Sequence, residues 1–369
     1  MKKCGIAMIG VGDISGIYLQ NIMELFHELE LIGVCDLVQT KAQAAQTKYP
    51  ALKIYPTMHD AFQDPAVDIV LNLTRPYEHF DVSKAALEAG KHVYTEKPLA
   101  ATFEEGRILA ELAKAKGLQI GGAPDTFLGA GIQTCRKLID DGFIGEPIGA
   151  AAFMICRGHE SWHPDPAFYY QHGGGPMMDM GPYYVTALLN LLGRVNGVTA
   201  RVKTSFAERT ITSQPQFGTV VPVHTPTYMT GILDFENGAI GSLFTTFDVH
   251  YESQARFEIY GSEGTMIVPD PNTFSGPIKI LRAEEGRYME MPLLFDYKEN
   301  SRGLGLADMA KSISSGRAAR TSADSLLHVL EIMTAYERSS ELAARVELTT
   351  PFERQEPMKK AVLPGILDA

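Results

Sequence analysis

The chain has 369 residues, a hydrophobic fraction of 45% and a formal net charge of −11 at pH 7. That length exceeds what one core needs and suits two domains, and the ordinary apolar content speaks against disorder. No Lys/Arg cluster offsets the acidic balance, which argues against nucleic acid as the main partner.

Met1-Lys2-Lys3 and the apolar run from Cys4 to Gly12 imitate a signal peptide. The run is short and Asp13 ends it, so a buried first strand is the better reading. No stretch reaches the roughly 20 apolar residues of a membrane span. Cys4, Cys35, Cys135 and Cys156 are scattered without paired spacing. They read as reduced core residues of a cytoplasmic protein, not as a disulfide frame or a zinc site.

Residues 4 to 9 are too short for a helix. Gly10-Val11-Gly12-Asp13-Ile14-Ser15 follows, and then Ile17, Leu19, Ile22, Met23 and Phe26 recur at helical spacing. Strand, glycine turn and helix in that order suit a dinucleotide. The first glycine makes the turn, the second admits a pyrophosphate, and the third position, here Ser15, needs a small residue. The phosphates would lie at the positive end of the helix. Leu31 to Cys35 reads as a second strand with Asp36 at its end. An acid there accepts the adenosine ribose hydroxyls and repels a 2′-phosphate, so Asp36 points to NAD over NADP.

The alternation continues with a strand over 67–73, a helix over 77–89, a strand over 92–95, a helix over 102–116 and a strand over 118–122. Such alternation demands parallel pairing, and ligands bind beyond the carboxyl ends of the strands. The loops there are Gly10 to Ser15, Asp36 to Val38, Thr74-Arg75-Pro76, Glu96-Lys97-Pro98 and Gly122 to Thr126. The expected coenzyme set is Gly10, Gly12, Asp13, Ile14, Asp36, Thr74, Arg75, Pro76, His79, Glu96, Lys97 and Pro98.

Beyond residue 146 the pattern turns to alternating strands. Thr227 to Phe235, Glu236-Asn237-Gly238 and Ala239 to Phe247 make a hairpin, with Asn-Gly expected to supply positive φ angles. Strands are expected near 198–205, 254–260 and 265–268, and helices over 183–192, 304–315 and 322–345. The expected division is a Rossmann domain over 1–124 and an α+β domain over 125–369 with a large, mainly antiparallel open sheet. One face of that sheet is covered by helices, and the other is free for a second subunit.

Glu96-Lys97-Pro98 at a strand end, the run Gly173-Gly174-Gly175-Pro176-Met177-Met178-Asp179-Met180-Gly181-Pro182-Tyr183, and Tyr260 to Asn272 together carry a resemblance. The chain resembles the glucose–fructose oxidoreductase / inositol dehydrogenase / rhizopine-catabolism (Gfo/Idh/MocA) family from Ile6 to about residue 345. The resemblance implies a lysine of the Glu-Lys-Pro motif at the nicotinamide, often with a cis peptide before the proline. It also implies a homodimer or homotetramer built on the open sheet. The family's Asp-x-Gly-x-His pair is altered here, because the fifth position is Tyr183, as in glucose–fructose oxidoreductase and the dihydrodiol dehydrogenases.

Oxidising an alcohol requires a base for the hydroxyl proton, and a free Tyr, with a pKa of about 10, is a poor one. An ammonium beside Tyr183 would stabilise phenolate, which assigns Lys97, Asp179 and Tyr183 as the catalytic set. Asp179 and Tyr183 are four residues apart and share a face if helical. His159-Glu160-Ser161-Trp162-His163 matches H-E-x-x-H, but Pro164 disfavours the helix that zinc ligation needs, so no metal is expected. Arg157 to Tyr170 reads instead as a polar, aromatic loop suited to a sugar. Asp125, Arg157, Trp162, His163, Asp179, Tyr183 and Lys97 form the expected substrate set, with His163 the rival acid–base. The reading is an NAD-dependent dehydrogenase of a sugar, cyclitol or glycoside. Its rivals are a redox-neutral sugar-modifying enzyme that retains NAD and a non-catalytic NAD- or sugar-sensing regulator.

Overall fold

A computed structural model describes residues 3–250, 256–360 and 365–367. The chain divides into two units. The first comprises Met1–Gly129, Phe295–Leu327 and Met358–Ala369, and the second Ala130–Leu294 and His328–Pro357. This corrects the expectation of a contiguous domain over 125–369: the chain returns to the first unit after residue 294. The physical reason is Asp125, whose Oδ2 accepts the Gly303 and Gly305 amides at 2.8 and 3.0 Å. It thereby caps the helix Leu304–Ser315.

In the first unit the elements are β1 (Cys4–Ile9), α1 (Ser15–Glu24), β2 (Leu29–Cys35), α2 (Gln39–Lys48), β3 (Lys53–Ile54) and α3 (Met58–Gln63). They continue with β4 (Ile69–Asn72), α4 (His79–Glu88), β5 (His92–Thr95), α5 (Phe103–Ala115) and β6 (Ile120–Gly122). The sheet is parallel, in the order β3-β2-β1-β4-β5-β6. Ile6, Ala7, Met8, Ile69, Val70 and Leu71 are fully buried, as strands covered on both faces must be. The alternation expected of a Rossmann sheet is therefore present. The reversal of strand order falls between β1 and β4, the switch point at which sheets of this kind bind ligands.

The second unit contains α6 (Ala130–Asp140), β7 (Pro147–Ile155) and α7 (Gly175–Leu192). Its further strands are β8 (Val195–Lys203), β9 (Glu208–Thr210), β10 (Val220–Pro222), β11 (Tyr228–Phe235), β12 (Ile240–Thr246), β13 (Arg256–Gly261), β14 (Gly264–Ile267), β15 (Ile278–Arg282), β16 (Met289–Met291) and β17 (Val346–Glu347). Among the described residues the large sheet has the order β16-β15-β14-β13-β7-β12-β11-β8-β17, and β9 and β10 pair separately. Only β7 and β12 run parallel within it, in keeping with the mainly antiparallel expectation. Residues 254 and 255 of the expected strand 254–260 lie outside the described residues.

Two local expectations are corrected. α7 starts at Gly175 rather than residue 183 and carries Pro182 inside it, so Asp179 lies within the helix. In the β11–β12 hairpin only Gly238 takes a positive φ, of 87°. The Gly238 amide donates to Phe235 O and the Phe235 amide to Ala239 O, both at 3.0 Å. This is a turn closed by one left-handed glycine, and Asn237 instead uses its side chain, accepting from the Ala239 amide.

Within the second unit a buried chain of hydrogen bonds joins His328, Thr350 and Glu331. Thr350 Oγ1 donates to Glu331 Oε2 at 2.5 Å, so His328 Nδ1 donates to Thr350 Oγ1 at 2.7 Å. The ring is therefore neutral with a bare, buried Nε2, and burial pushes its pKa down to about 4. A histidine depressed from 6.5 leaves the unfolded chain binding more protons between those values. Stability contributed by this site is full above pH 6.5 and is lost as pH falls toward 4. Urea titrations of the wild type and His328→Gln should therefore converge by about 2–3 kcal/mol as pH drops through that window. Parallel curves would remove His328 from the acid sensitivity.

Candidate active site

In the first unit, Gly10 adopts a φ of 94°, and a side chain there would strike Leu73 O at 2.7 Å. Gly12 faces open space where a side chain would stand. Ser15 meets the small-residue requirement and adds a bond, its hydroxyl donating to Gly12 O at 2.6 Å. Ile14 at the N-cap of α1 supplies no side-chain cap, and no acid occupies the first turn. These amides and the helix dipole remain available to an anion. Asp36 braces the same turn, with Oδ2 accepting from the Val11 amide and Oδ1 from the Val38 amide, each at 2.7 Å. The donor set fits a dinucleotide: open amides for a pyrophosphate and a carboxylate at the end of β2 for a ribose.

Lys97 follows β5 and is half-buried. Its amide donates to Glu96 Oε2 at 3.0 Å, and Glu96 Oε1 accepts from Tyr18 Oη at 2.7 Å. The Lys97–Pro98 peptide is cis, as the resemblance implied. Behind it lies His79, with Nδ1 2.7 Å from Pro98 O and Nε2 3.1 Å from Thr74 O. Both partners are acceptors, and a neutral imidazole has one N–H. Burial pushes the His79 pKa down, so the shorter contact, to Pro98 O, holds the proton. His79 and Glu96 therefore support the Thr74 and Lys97 loops from inside. Pro98 is buried with them, while Asp13, Ile14 and Arg75 are exposed and Thr74 and Pro76 half-buried. Arg75 donates to Tyr77 Oη at 2.8 Å.

Asp125, expected to touch substrate, is 1% exposed and committed to capping a helix. Burial raises its pKa to about 6 against the pull of the two amides.

In the second unit, Arg157 to Tyr170 forms an ordered loop between β7 and α7. Its H-E-x-x-H segment is a single turn, closed by the His163 amide on His159 O at 3.0 Å, and not a zinc helix. Glu160 pins it, its carbonyl accepting from the Thr212 and Ser213 amides and its carboxylate pairing with Arg209 at 3.1 Å. Trp162 is 62% exposed, held edge-on between His159 and His163. His163 Nδ1 accepts from the Asp165 amide at 3.0 Å. Arg157 is exposed and donates to His250 Nε2 at 3.0 Å.

One residue was not anticipated. His159 Nε2 lies 3.0 Å from Asp179 Oδ2, with both side chains largely buried. Tyr183, one helical turn beyond Asp179, is only 7% exposed. The signal for His159 was present in the sequence, as a histidine in the aromatic loop ahead of an aspartate whose usual histidine partner is replaced by tyrosine.

Among the described residues no group of three or more His, Cys, Asp or Glu could hold a metal, and no helix is long and apolar enough to cross a membrane. Among the described residues no disulfide joins Cys4, Cys35, Cys135 or Cys156.

Residues 4–122 match the profile described as an oxidoreductase family with an NAD-binding Rossmann fold, and residues 132–267 match the GFO/IDH/MocA C-terminal domain. The D-xylose dehydrogenase of Paenarthrobacter nicotinovorans is 27% identical over 208 residues, which is 55% of this chain and 53% of that protein. The chain thus spans about half the length of that relative. Myo-inositol 2-dehydrogenase of Thermotoga maritima is 25% identical over 70% of this chain and 73% of its own length. The fold is shared with an NAD binding oxidoreductase from Klebsiella pneumoniae at a TM-score of 0.82 and 21% identity, covering 95% of this chain and 100% of that one. With both of its units matched by the same family, in the order the glycine turn and the Glu96-Lys97-Pro98 motif predict, the chain belongs to the GFO/IDH/MocA oxidoreductases.

Proposed function

We propose that the protein is an NAD(H)-dependent dehydrogenase acting on a hydroxyl-bearing carbon of a sugar, cyclitol or glycoside. The observation that carries this reading is the uncapped N-terminus of α1 beside the open Gly12, at the carboxyl end of the parallel sheet, where Lys97 also stands. A bound nicotinamide would supply hydride acceptance and donation. Lys97 donates a hydrogen bond to the reacting oxygen, where negative charge develops. Trp162 offers a flat face to sugar C–H groups, and Arg157, His163, Asp179 and Tyr183 are the polar groups assigned to hydroxyls. The relatives named D-xylose and inositol dehydrogenases favour net dehydrogenation over the redox-neutral and regulatory readings.

A panel of aldoses, cyclitols and anhydrosugars with NAD and NADP, followed at 340 nm, tests the reading. Turnover with at least one polyol is expected, and none with any would end it. Asp36 at the end of β2 supports NAD over NADP. Asp36→Ala is expected to narrow the affinity ratio between them by about tenfold, a change of about 1.4 kcal/mol. An unchanged ratio in fluorescence titrations would place ribose selection elsewhere. The outward face of the large sheet carries Tyr228, Phe153, Phe244, Ile232 and Ile240, the last two exposed. A second copy of the chain is the partner proposed for it.

A further inference from the structure

We infer that His159, held by Asp179, is the group that exchanges the substrate hydroxyl proton. This rests on the dehydrogenase reading above and deepens it, because that reading leaves the proton's destination open.

His159 has one nitrogen committed and one available. Nε2 contacts Asp179 Oδ2 at 3.0 Å. A carboxylate accepts and does not donate, so Nε2 carries the hydrogen and Nδ1 keeps a lone pair in the neutral ring. Nδ1 has no hydrogen-bond partner among the described residues, and it is not among the buried polar atoms left without one, so solvent reaches it. This is the arrangement of a general base: one nitrogen oriented by a carboxylate, the other open to a reacting group.

The ring is fixed as well as oriented. Tyr169, Phe247 and Trp162 pack around it at centroid distances of 4.0, 4.7 and 5.2 Å. The His159 amide faces Tyr170 Oη at 3.4 Å. The charged and titratable groups around it are Asp179 from α7 and Glu160, His163, Tyr169 and Tyr170 from its own loop. Arg209 from β9 is neutralised by Glu160 and Asp248. Trp162, the exposed flat ring beside it, marks where a sugar would lie.

Tyr183 is the competing group. An ordinary phenol titrates near 10 and an ordinary imidazole near 6.5, so the imidazole is the better matched to proton exchange at neutral pH. In the oxidising direction a bound NAD+ would accept the C–H electron pair as hydride. The O–H pair becomes the second bond of the carbonyl, and the proton bonds to His159 Nδ1. The imidazolium charge is then shared with Asp179 through Nε2–H, and water takes the proton from Nδ1 to reset the ring.

The experiment uses the full-length protein and the best polyol of the panel. His159→Gln is expected to lower kcat by about 10²–10⁴-fold. NADH affinity, measured by fluorescence titration, should stay within about twofold, and the acidic limb of the pH profile should vanish. Added imidazole should restore part of the rate. Asp179→Asn removes the carboxylate that favours imidazolium, so the limb should move to lower pH. Tyr183→Phe should cost less than His159→Gln. Melting curves check folding, and His159→Asn serves if the glutamine variant does not fold. In ¹⁵N NMR of the coenzyme-free protein, the neutral His159 ring should carry its proton on Nε2. A retained acidic limb in His159→Gln, a larger loss in Tyr183→Phe, or a proton on Nδ1 each overturns the inference while leaving an active wild type. A wild type inactive on every polyol instead defeats the dehydrogenase reading.

Discussion

Lys97→Ala is expected to lower kcat by about 10²–10³-fold or more while the NADH dissociation constant stays within about tenfold. The expectation follows from how the loop is held. The Lys97 backbone is fixed by its own amide on Glu96 and by the neighbouring Pro98 carbonyl on His79. None of these bonds uses the lysine side chain, so alanine removes the ammonium and keeps these bonds. In the proposed role, what is lost is a positive charge beside an oxygen that becomes negative in the transition state, which acts on kcat rather than on coenzyme binding. Steady-state rates at 340 nm and a fluorescence titration measure the two quantities. A variant within tenfold of the wild-type kcat would take Lys97 out of the chemistry.

Asp308→Ala is expected to be the most damaging substitution for stability. Asp308 is fully buried. Its Oδ1 binds Arg317 and Arg320 at 2.5 Å each, and its Oδ2 accepts the Arg320 amide at 2.7 Å. Alanine would leave the buried Arg320 guanidinium without its carboxylate. Removing one partner of a buried pair costs about 3–5 kcal/mol. At about 2–4 °C per kcal/mol for a domain of this size, the melting temperature should fall by roughly 10 °C. A fall of under about 3 °C would mean that water or another acid reaches Arg320.

The sequence made the coenzyme half legible because its signals are local. Gly10, Gly12, Asp36 and Glu96-Lys97-Pro98 each sit at a strand end that periodicity locates. α2 escaped notice because it buries only Ala42 and Ala45, small residues that leave no apolar stripe. β9 and β10 are three residues each, too short to show alternation. The return of residues 295–327 to the first unit rests on Asp125 binding amides some 180 positions away, which no window detects. His159 and Asp179 are twenty residues apart, joined by a loop whose path cannot be read from spacing. Asp125 illustrates the converse: a carboxylate beside a coenzyme loop suggested chemistry, and burial gave it a helix to cap.

The interrupted first unit bears on how the protein is born. A ribosome releases Gly129 long before it delivers Phe295. At about 5–20 residues per second, roughly ten seconds or more separate the two. Throughout that interval Asp125 waits for its amides and one flank of β6 stays uncovered. Nascent chains stalled short of Ser315 should therefore be cut readily by protease within residues 1–129, and that segment should become resistant only once residues 295–327 have emerged.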